Sequence, residues 1–225
     1  MNTIDMLHYS GQHQRSIFSP GLVRDAAQLD FAPKKRYAYV ENPLEGWRVY
    51  IRSCAFIYDL SAPWDARRFL VVKRTGANNK ARSWEPPKGQ MEGKDINQTD
   101  SMADLLLNNI RREVEEESGI RFNNQDANQR IHYSGLFFEG REPDYPEGHY
   151  FQYHIFIVFA TPAEIRMAEK HFQWIHEHPS AFARFRSDRR EKDAIAWYSP
   201  ETRMMGRWSP RIVPMYLERM WGIKS

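Results

Sequence analysis

The chain has 225 residues, 41% of them hydrophobic and 14% aromatic, which is enough to bury a substantial core in one large domain. Its formal net charge of +3 is compatible with a nucleic-acid partner but does not require one. The single cysteine, Cys54, excludes an intrachain disulfide, and the sequence shows neither a secretory signal nor an apolar run of membrane-spanning length. We therefore expect a cytoplasmic protein that does not enter a membrane.

The first part of the chain, residues 1–42, is polar with scattered aromatic residues and two prolines. It predicts an extended or irregular arm that could pack on a domain formed by residues 43–225. The next two apolar segments, 49–58 and 69–74, predict two strands joined as a hairpin by a turn around Pro63.

The segment 83–95 contains two prolines and two glycines, which predict a rigid loop of defined shape. In this loop Lys88 offers a point charge for a phosphate group, and Gly89 allows the backbone to approach a ligand closely. The same composition is also typical of an ordinary surface loop.

A helix is predicted from Met102 or Ala103 to Ser118, with Asp100 or Ser101 as its N-cap and Gly119 after its last turn. Its apolar stripe indicates packing against a core rather than a ligand site. The stripe consists of Leu106, Ile110 and Val114.

The end of this helix carries three carboxylates on one face, because Glu113, Glu116 and Glu117 follow helical spacing. Carboxylates so close together repel one another, so a positive group should offset them. A divalent cation is the natural candidate, since Mg²⁺ prefers oxygen ligands and is often shared with substrate phosphates. Arg112, one turn before Glu116, could hold that carboxylate in place. An acidic helix face exposed to solvent is the alternative.

The remaining chain alternates strands and helices, which predicts an α/β or α+β sandwich with helices flanking a mixed sheet. We expect strands at 131–138, 150–161 and 194–199, and helices at 165–178 and 209–222. The histidines of the first of these helices predict a solvated face rather than a metal cluster. These are His171, His176 and His178.

The loop and the acidic helix together resemble the sequence box of the Nudix hydrolases. The second half of the box matches at every defined position, and the first half matches through Gly89, with Asp95 where the family usually has Glu. The stretch between Asp95 and Arg112 exceeds the usual seven residues by nine, so we place an insertion at 96–104. The matching positions of the second half are Arg112, Glu113, Val114, Glu116, Glu117, Gly119 and Ile120.

The resemblance implies an α/β/α sandwich and a metal-dependent hydrolase that cleaves a diphosphate linkage in a nucleotide-type substrate. Glu113, Glu116 and Glu117 would bind Mg²⁺ or Mn²⁺, with the carbonyl of Gly89 as a further ligand. Arg112 would orient the glutamates. Water would attack phosphorus in line, and a carboxylate inside or outside the box would take its proton.

The segment 84–92 looks most like the loop of asymmetrical diadenosine tetraphosphate hydrolases, with its Trp, two prolines, Lys-Gly and a later Glu. These enzymes also carry a Glu six residues before a Trp, which corresponds here to Glu191 and Trp197. Glu191 is therefore a candidate for an extra metal ligand or base, although it could equally be one acid of a charged run. We expect Lys88 to bind the polyphosphate.

Aromatic rings from neighbouring strands would sandwich an adenine, with core packing as the alternative for each ring. The candidates are Phe138, Tyr150 and Tyr153. Other substrates stay open: capped mRNA, bound through the basic run 184–192, or an inositol pyrophosphate. A Nudix-fold protein that binds without catalysis is the alternative from a different class.

Overall fold

The computed structural model describes residues 6–9, 15–76, 84–97, 100–185, 187–206 and 208–224, with the backbone alone for 6–9, 187 and 188. The chain forms two compact units, each built from three segments. The first unit contains the residues up to Cys54, Gly89–Ile110 and Tyr133–Phe156. The second contains Ala55–Lys88, Arg111–His132 and the residues from Ile157 onwards.

Ten strands occur in the part of the chain that the structure describes. In chain order they are β1 (Met6–Tyr9), β2 (Val23–Leu29), β3 (Ala32–Asn42), β4 (Trp47–Asp59), β5 (Leu70–Arg74), β6 (Trp84–Glu85), β7 (Lys88–Gln90), β8 (Ile131–Gly140), β9 (His149–Ala160) and β10 (Lys192–Trp197). The helices are α1 (Met102–Ser118), α2 (Asn124–Arg130), α3 (Pro162–Glu177), α4 (Pro179–Phe182) and α5 (Ser209–Trp221). Short 3₁₀ turns cover Gly93–Asp95 and Ser187–Arg190.

The main path of the sheet has the strand order β1-β8-β9-β4-β3-β2. The pairs β1/β8, β2/β3 and β3/β4 are antiparallel. The pair β4/β9 is parallel, because Arg48 donates its backbone N–H to Gly148 and Leu60 donates to Ala160, so the partner numbers rise together. The predicted α/β class, a mixed sheet with flanking helices, is confirmed.

The segment predicted as an extended or irregular arm is extended in a specific way, because Val23–Asn42 forms β2 and β3 of the sheet. The sequence of this strand pair does not show the regular alternation by which strands are predicted. Lys34, Lys35 and Arg36 occupy the exposed half of β3, whereas the other half carries the buried run 38–40. A long strand that is solvated at one end and buried at the other gives no uniform period-2 pattern.

In the second unit the end of β4 pairs with β5 in antiparallel register, Ile57 opposite Leu70, which confirms the predicted hairpin. Strand β5 also pairs with β6 and with β10. The segment predicted as a loop, 83–95, therefore contains the short strands β6 and β7 as well as a 3₁₀ turn. Its prolines, Pro86 and Pro87, separate the two strands.

Helix α1 has the predicted bounds, and Ser101 caps it by accepting the backbone N–H of Asp104 on its hydroxyl. Gly119 follows the helix with φ of 75°, a conformation that favours glycine. Helix α2 was not predicted. It is polar and buries a single side chain, Ala127, so its sequence lacks an apolar stripe. Within the described residues, no helix combines the length and apolar character that crossing a membrane requires.

Candidate active site

The C-terminal turn of α1 presents the acidic face in the second unit, and one arginine holds two of its carboxylates. Arg112 lies 2.8 Å from Oε2 of Glu116 through Nη1 and 2.7 Å from Oε1 of Glu113 through Nη2. The predicted hold of Arg112 on Glu116 is thus present. Because α1 supplies all three residues, its i, i+3 and i+4 spacing sets their mutual geometry.

Glu113 has a strongly perturbed carboxyl group. Its pKa is raised to about 8, first by burial, against the pull of Arg112, and then by the negative charges of Glu117, Glu116 and Glu191. Only 7% of the residue is exposed. One guanidinium thus faces several carboxyl groups, so Glu113 keeps its proton near neutral pH unless a further cation offsets the negative charges around it.

The third carboxylate of the face belongs to a separate network, which we call the charge quartet: Glu85, Lys88, Glu117 and Lys192. Nζ of Lys192 lies 2.7 Å from Oε1 of Glu117 and also contacts Glu85. Nζ of Lys88 lies 2.6 Å from Oε2 of Glu85, and its backbone N–H donates to Oε2 of Glu117 at 2.9 Å. Both oxygens of Glu117 are therefore engaged.

The quartet consists of second-unit residues from four elements, since β6 supplies Glu85, the first residue of β7 supplies Lys88, α1 supplies Glu117 and β10 begins at Lys192. The register of β10 against β5 shifts between Lys192 and Ala194, a bulge that re-aims the side chains around it. Burial alone would lower the pKa of Lys192, but the carboxylates of Glu117 and Glu85 hold it above its ordinary value.

A cavity of about 770 Å³ borders the quartet within the second unit. Its lining is mixed, with charged residues from four strands, α1 and the segment before β10, and apolar residues from α3, from α4 and the residue after it, and from the loop before α5. The charged residues are Arg74, Glu85, Lys88, Glu117, Arg190, Glu191, Lys192 and Asp193, and the apolar ones are Ile175, Pro179, Phe182, Ala183 and Met205. Such a lining can hold a ligand that is charged at one end and apolar at the other.

The predicted site residues fall into two groups. The second unit brings together Arg112, the three glutamates of α1, Lys88 and Glu191, and Lys88, Glu117 and Glu191 line the same cavity. Gly89 and the aromatic candidates belong to the first unit. Gly89 is a half-buried residue of β7.

Burial favours core packing for two of the three aromatic candidates. Phe138 is completely buried, and Tyr153 is 5% exposed, with its ring centroid 5.3 Å from the guanidinium of Arg52. Both rings are therefore packed in the core, the alternative that the sequence left open for each of them. Tyr150 is half-buried, and the guanidinium of Arg15 lies 3.6 Å from its ring centroid.

Glu85 and Lys192 were not predicted as site residues. Lys192 was assigned to the basic run 184–192, the contact expected for capped mRNA, but it is buried and paired with two carboxylates. Arg186 of that run lies outside the described residues, whereas Arg184 and Arg190 are exposed. The nearest signal in the sequence was the position of Lys192 next to Glu191, which was already a candidate site residue.

The residue types of the acidic face fit a divalent cation, because hard cations take carboxylate oxygens and the face has three carboxyl groups but only one arginine of its own. As they stand, however, no three His, Cys, Asp or Glu side chains among the described residues are grouped as a metal site. The three carboxylates have other partners: Arg112 contacts Glu113 and Glu116, and Lys192 and the backbone N–H of Lys88 contact Glu117. A cation would have to share or replace these partners.

No protein-family model matches the chain, and no curated protein matches it. Among solved structures, it is similar to a bifunctional NMN adenylyltransferase/ADP ribose pyrophosphatase from Francisella tularensis, with TM-score 0.38 and 13% identity over 76% of this chain. The chain spans 41% of that protein's length. It is also similar to a C. elegans Ap4A hydrolase in a binary complex, with TM-score 0.33 and 14% identity over 67% of this chain and 80% of that one. At these scores neither likeness establishes an activity.

Proposed function

We propose that the chain is a metal-dependent pyrophosphohydrolase of the Nudix type, which cleaves a diphosphate linkage in a nucleotide-type substrate. The preferred substrate class is the dinucleoside polyphosphates. The reacting group would lie between the acidic face of α1 and the cavity beside the charge quartet.

One observation carries this proposal: a single helical turn holds three carboxylates next to a cavity whose lining contains four cationic and four acidic side chains. Glu117 belongs to both, as a member of the acidic face and as part of the cavity lining. The alternative, an acidic helix face that is merely solvated, would leave its carboxylates exposed and would not require a cavity beside them. Here Glu113 and Glu117 are buried, at 7% and 5% exposure, despite their mutual repulsion.

The chemistry required is an in-line displacement at phosphorus. A bound Mg²⁺ or Mn²⁺, held by Glu113, Glu116 and Glu117, would neutralise phosphate oxygens and acidify a water molecule. The water oxygen bonds to phosphorus while the bridging P–O bond breaks and its electron pair leaves with the departing phosphate. A carboxylate takes the proton of the water, and Glu191, an exposed member of the cavity lining, is suited to this role.

The chain's own cations would position the substrate. Lys88 and Lys192 present ammonium groups at the cavity, and Arg74 and Arg190 add guanidinium groups. Arg112 keeps the carboxylates of Glu113 and Glu116 in fixed positions through its two terminal nitrogens. The metal sites and the phosphate-binding side chains would thereby share one rigid frame.

The cavity also indicates where a base or other apolar group would lie. Ile175, Pro179, Phe182 and Met205 supply an apolar part of the lining, which fits a nucleoside better than an inositol ring covered with phosphates. This surface replaces Phe138 and Tyr153 as the candidate base-binding surface.

The test is a phosphate-release screen of the full-length protein with Mg²⁺ and with Mn²⁺. The panel contains diadenosine tetraphosphate, nucleoside diphosphate derivatives, inositol pyrophosphates and capped RNA. Glu116→Gln removes one charge of the acidic face while keeping its shape. Glu115→Gln is the matched control, because Glu115 is the neighbouring residue of α1 and pairs instead with Arg121 and Arg189, at 3.2 and 3.6 Å.

We expect ATP and AMP from diadenosine tetraphosphate with the wild-type protein and Glu115→Gln, and a loss of turnover with Glu116→Gln. Release of cap nucleotide from RNA alone would assign the protein to decapping. Undiminished turnover by Glu116→Gln would contradict the metal-site assignment. Metal binding without turnover of any substrate would favour a binding protein.

A further inference from the structure

We propose that Lys192 is a positioning residue that serves as the resident counter-ion of Glu117 and competes with the divalent cation for that carboxylate. This inference rests on the proposed function, because it concerns the same acidic face. It assigns a role to the charge quartet, which the Nudix resemblance does not explain.

The geometry of Glu117 is the starting point. Its Oε1 lies 2.7 Å from Nζ of Lys192, and its Oε2 accepts the backbone N–H of Lys88 at 2.9 Å. A cation can bind Oε1 at full strength only if the ammonium of Lys192 moves away, because two positive groups cannot share one oxygen without repulsion. The N–H of Lys88 can stay, since it holds the other oxygen.

Burial increases the effect on Glu117 of exchanging the ammonium of Lys192 for a cation. The side chains of Lys192, Glu85 and Glu117 are 5%, 3% and 5% exposed, so little solvent screens their charges. The quartet holds two carboxylates and two ammonium groups and is balanced as it stands. Removing Lys192 should therefore make Glu117 a much stronger ligand for a cation, and removing the charge of Glu85 should make Glu117 a weaker one.

Lys192 keeps other partners when its ammonium group leaves Glu117. Its ammonium also contacts Glu85, and the residue lines the cavity in which substrate phosphates would lie. A lysine is a compact point charge on a flexible stem, so a small rotation can move it from Glu117 while it keeps Glu85 as a partner. The ion pair between Lys192 and Glu117 would then be replaced by two contacts, one between Glu117 and the cation and one between Lys192 and a substrate phosphate.

A purely structural salt bridge is the competing explanation, and the sign of the mutational effect separates the two. If the quartet only holds the fold, any change in it should loosen the acidic face and weaken metal binding. If Lys192 competes with the cation, Lys192→Met should strengthen metal binding, whereas Glu85→Gln should weaken it by leaving both lysines to Glu117.

The experiment measures Mn²⁺ binding to the full-length protein by electron paramagnetic resonance of the free ion, after treatment with chelator. We expect Lys192→Met to lower the dissociation constant by about tenfold, and Glu85→Gln to raise it by about tenfold, as the change of one nearby unit charge implies. Lys73→Met is the matched control. Lys73 is a partly buried lysine of β5, 3.4 Å from Asp193, and does not belong to the quartet. It should change the constant by less than about twofold.

A weaker or unchanged affinity in Lys192→Met, with wild-type binding intact, overturns the inference and leaves the proposed function standing. If Lys192→Met does not fold, Glu85→Gln decides, since unchanged or tighter binding there is equally contradictory. Failure of the wild-type protein to bind Mn²⁺ would instead count against the proposed function itself.

Discussion

Each of the two units buries a cluster of charged and polar side chains, and the two clusters are built differently. In the first unit Glu139 is completely buried, with one oxygen on Arg15 and the other accepting the side-chain amide of Gln152 at 2.9 Å. The amide oxygen of Gln152 lies 3.1 Å from Nε2 of His154, and Nδ1 of that ring lies 3.1 Å from the hydroxyl of Tyr133. We call this series the polar chain.

In the second unit the carboxyl groups of the acidic face and the quartet together outnumber their cations, four to three, although the quartet alone is balanced. Glu113 faces other carboxylates as well as Arg112, and the quartet beside it opens into a cavity of about 770 Å³. In the polar chain, by contrast, both oxygens of Glu139 have a partner, and its single carboxylate faces a single guanidinium.

The difference shows that burial of charge does not by itself indicate function. A buried carboxylate with a partner on each oxygen stabilises a fold, whereas buried carboxylates that outnumber their cations beside a cavity are held against their own repulsion. The same substitution, Glu→Gln, should therefore have opposite effects on stability in the two clusters.

The largest effect is expected for Glu139→Gln in the polar chain. The amide would leave the guanidinium of Arg15 without its counter-charge and would place an N–H group against the amide of Gln152. We expect a loss of about 3–5 kcal/mol in the free energy of unfolding, measured by urea denaturation at pH 7. A loss below about 1 kcal/mol would show that the polar chain contributes little to the fold.

The pH dependence of stability should come next, through His154. Burial lowers the pKa of its imidazole to about 3, whereas the unfolded chain titrates near 6.5. Between these values the unfolded state binds a proton that the folded state does not, so this contribution is complete above pH 6.5 and is lost as the pH falls. We expect a loss of about 3 kcal/mol at pH 4. Nitrogen NMR of the ring should show neutral imidazole at pH 5, and titration near 6.5 would contradict this.

A gain of similar size is expected for Glu113→Gln in the metal-free protein. With the pKa of Glu113 raised to about 8 and an unfolded value near 4.5, the unfolded state releases a proton that the folded state retains, so stability falls as the pH rises from 4.5 to 8. Glutamine does not titrate, and we expect the variant to be more stable by about 3 kcal/mol at pH 7. The gain should shrink toward pH 5. A variant less stable than the wild type at pH 7 would remove the distinction between the clusters.

The smallest effect is expected for Glu115→Gln. The carboxylate of Glu115 is 34% exposed, and its partners Arg121 and Arg189 are more exposed still, at 69% and 51%. Ion pairs of this kind contribute little in water, so thermal denaturation should detect a change below about 0.5 kcal/mol. A change as large as that of Glu113→Gln would mean that the whole acidic turn, and not one face of it, controls stability.

The sequence predicted helix α1 and its acidic face because both depend on local spacing. The stripe of Leu106, Ile110 and Val114 is buried, Ser101 caps the first turn, and Arg112 reaches Glu116 one turn away. Interactions of this kind join residues three or four positions apart, so the sequence contains all the information they need.

The quartet could not be predicted in the same way, because its members come from distant parts of the chain. Glu85 and Lys192 are separated by more than a hundred residues and meet only through the pairing of β5 with both β6 and β10. A lysine in a basic run is usually solvated, and only tertiary packing buries this one. The strands β2 and β3 were missed for a related reason, since three charged residues conceal the buried half of β3.

The most direct test of the metal site compares turnover in three proteins with Mn²⁺ and diadenosine tetraphosphate: the wild type, Glu116→Gln and Glu139→Gln. We expect Glu116→Gln to lower kcat by about 100-fold or more, whereas Glu139→Gln, although less stable, should turn over substrate at the wild-type rate per folded molecule at low temperature. Wild-type turnover by Glu116→Gln, together with loss of turnover in folded Glu139→Gln, would exclude the acidic face as the catalytic site and would place the chemistry in the polar chain.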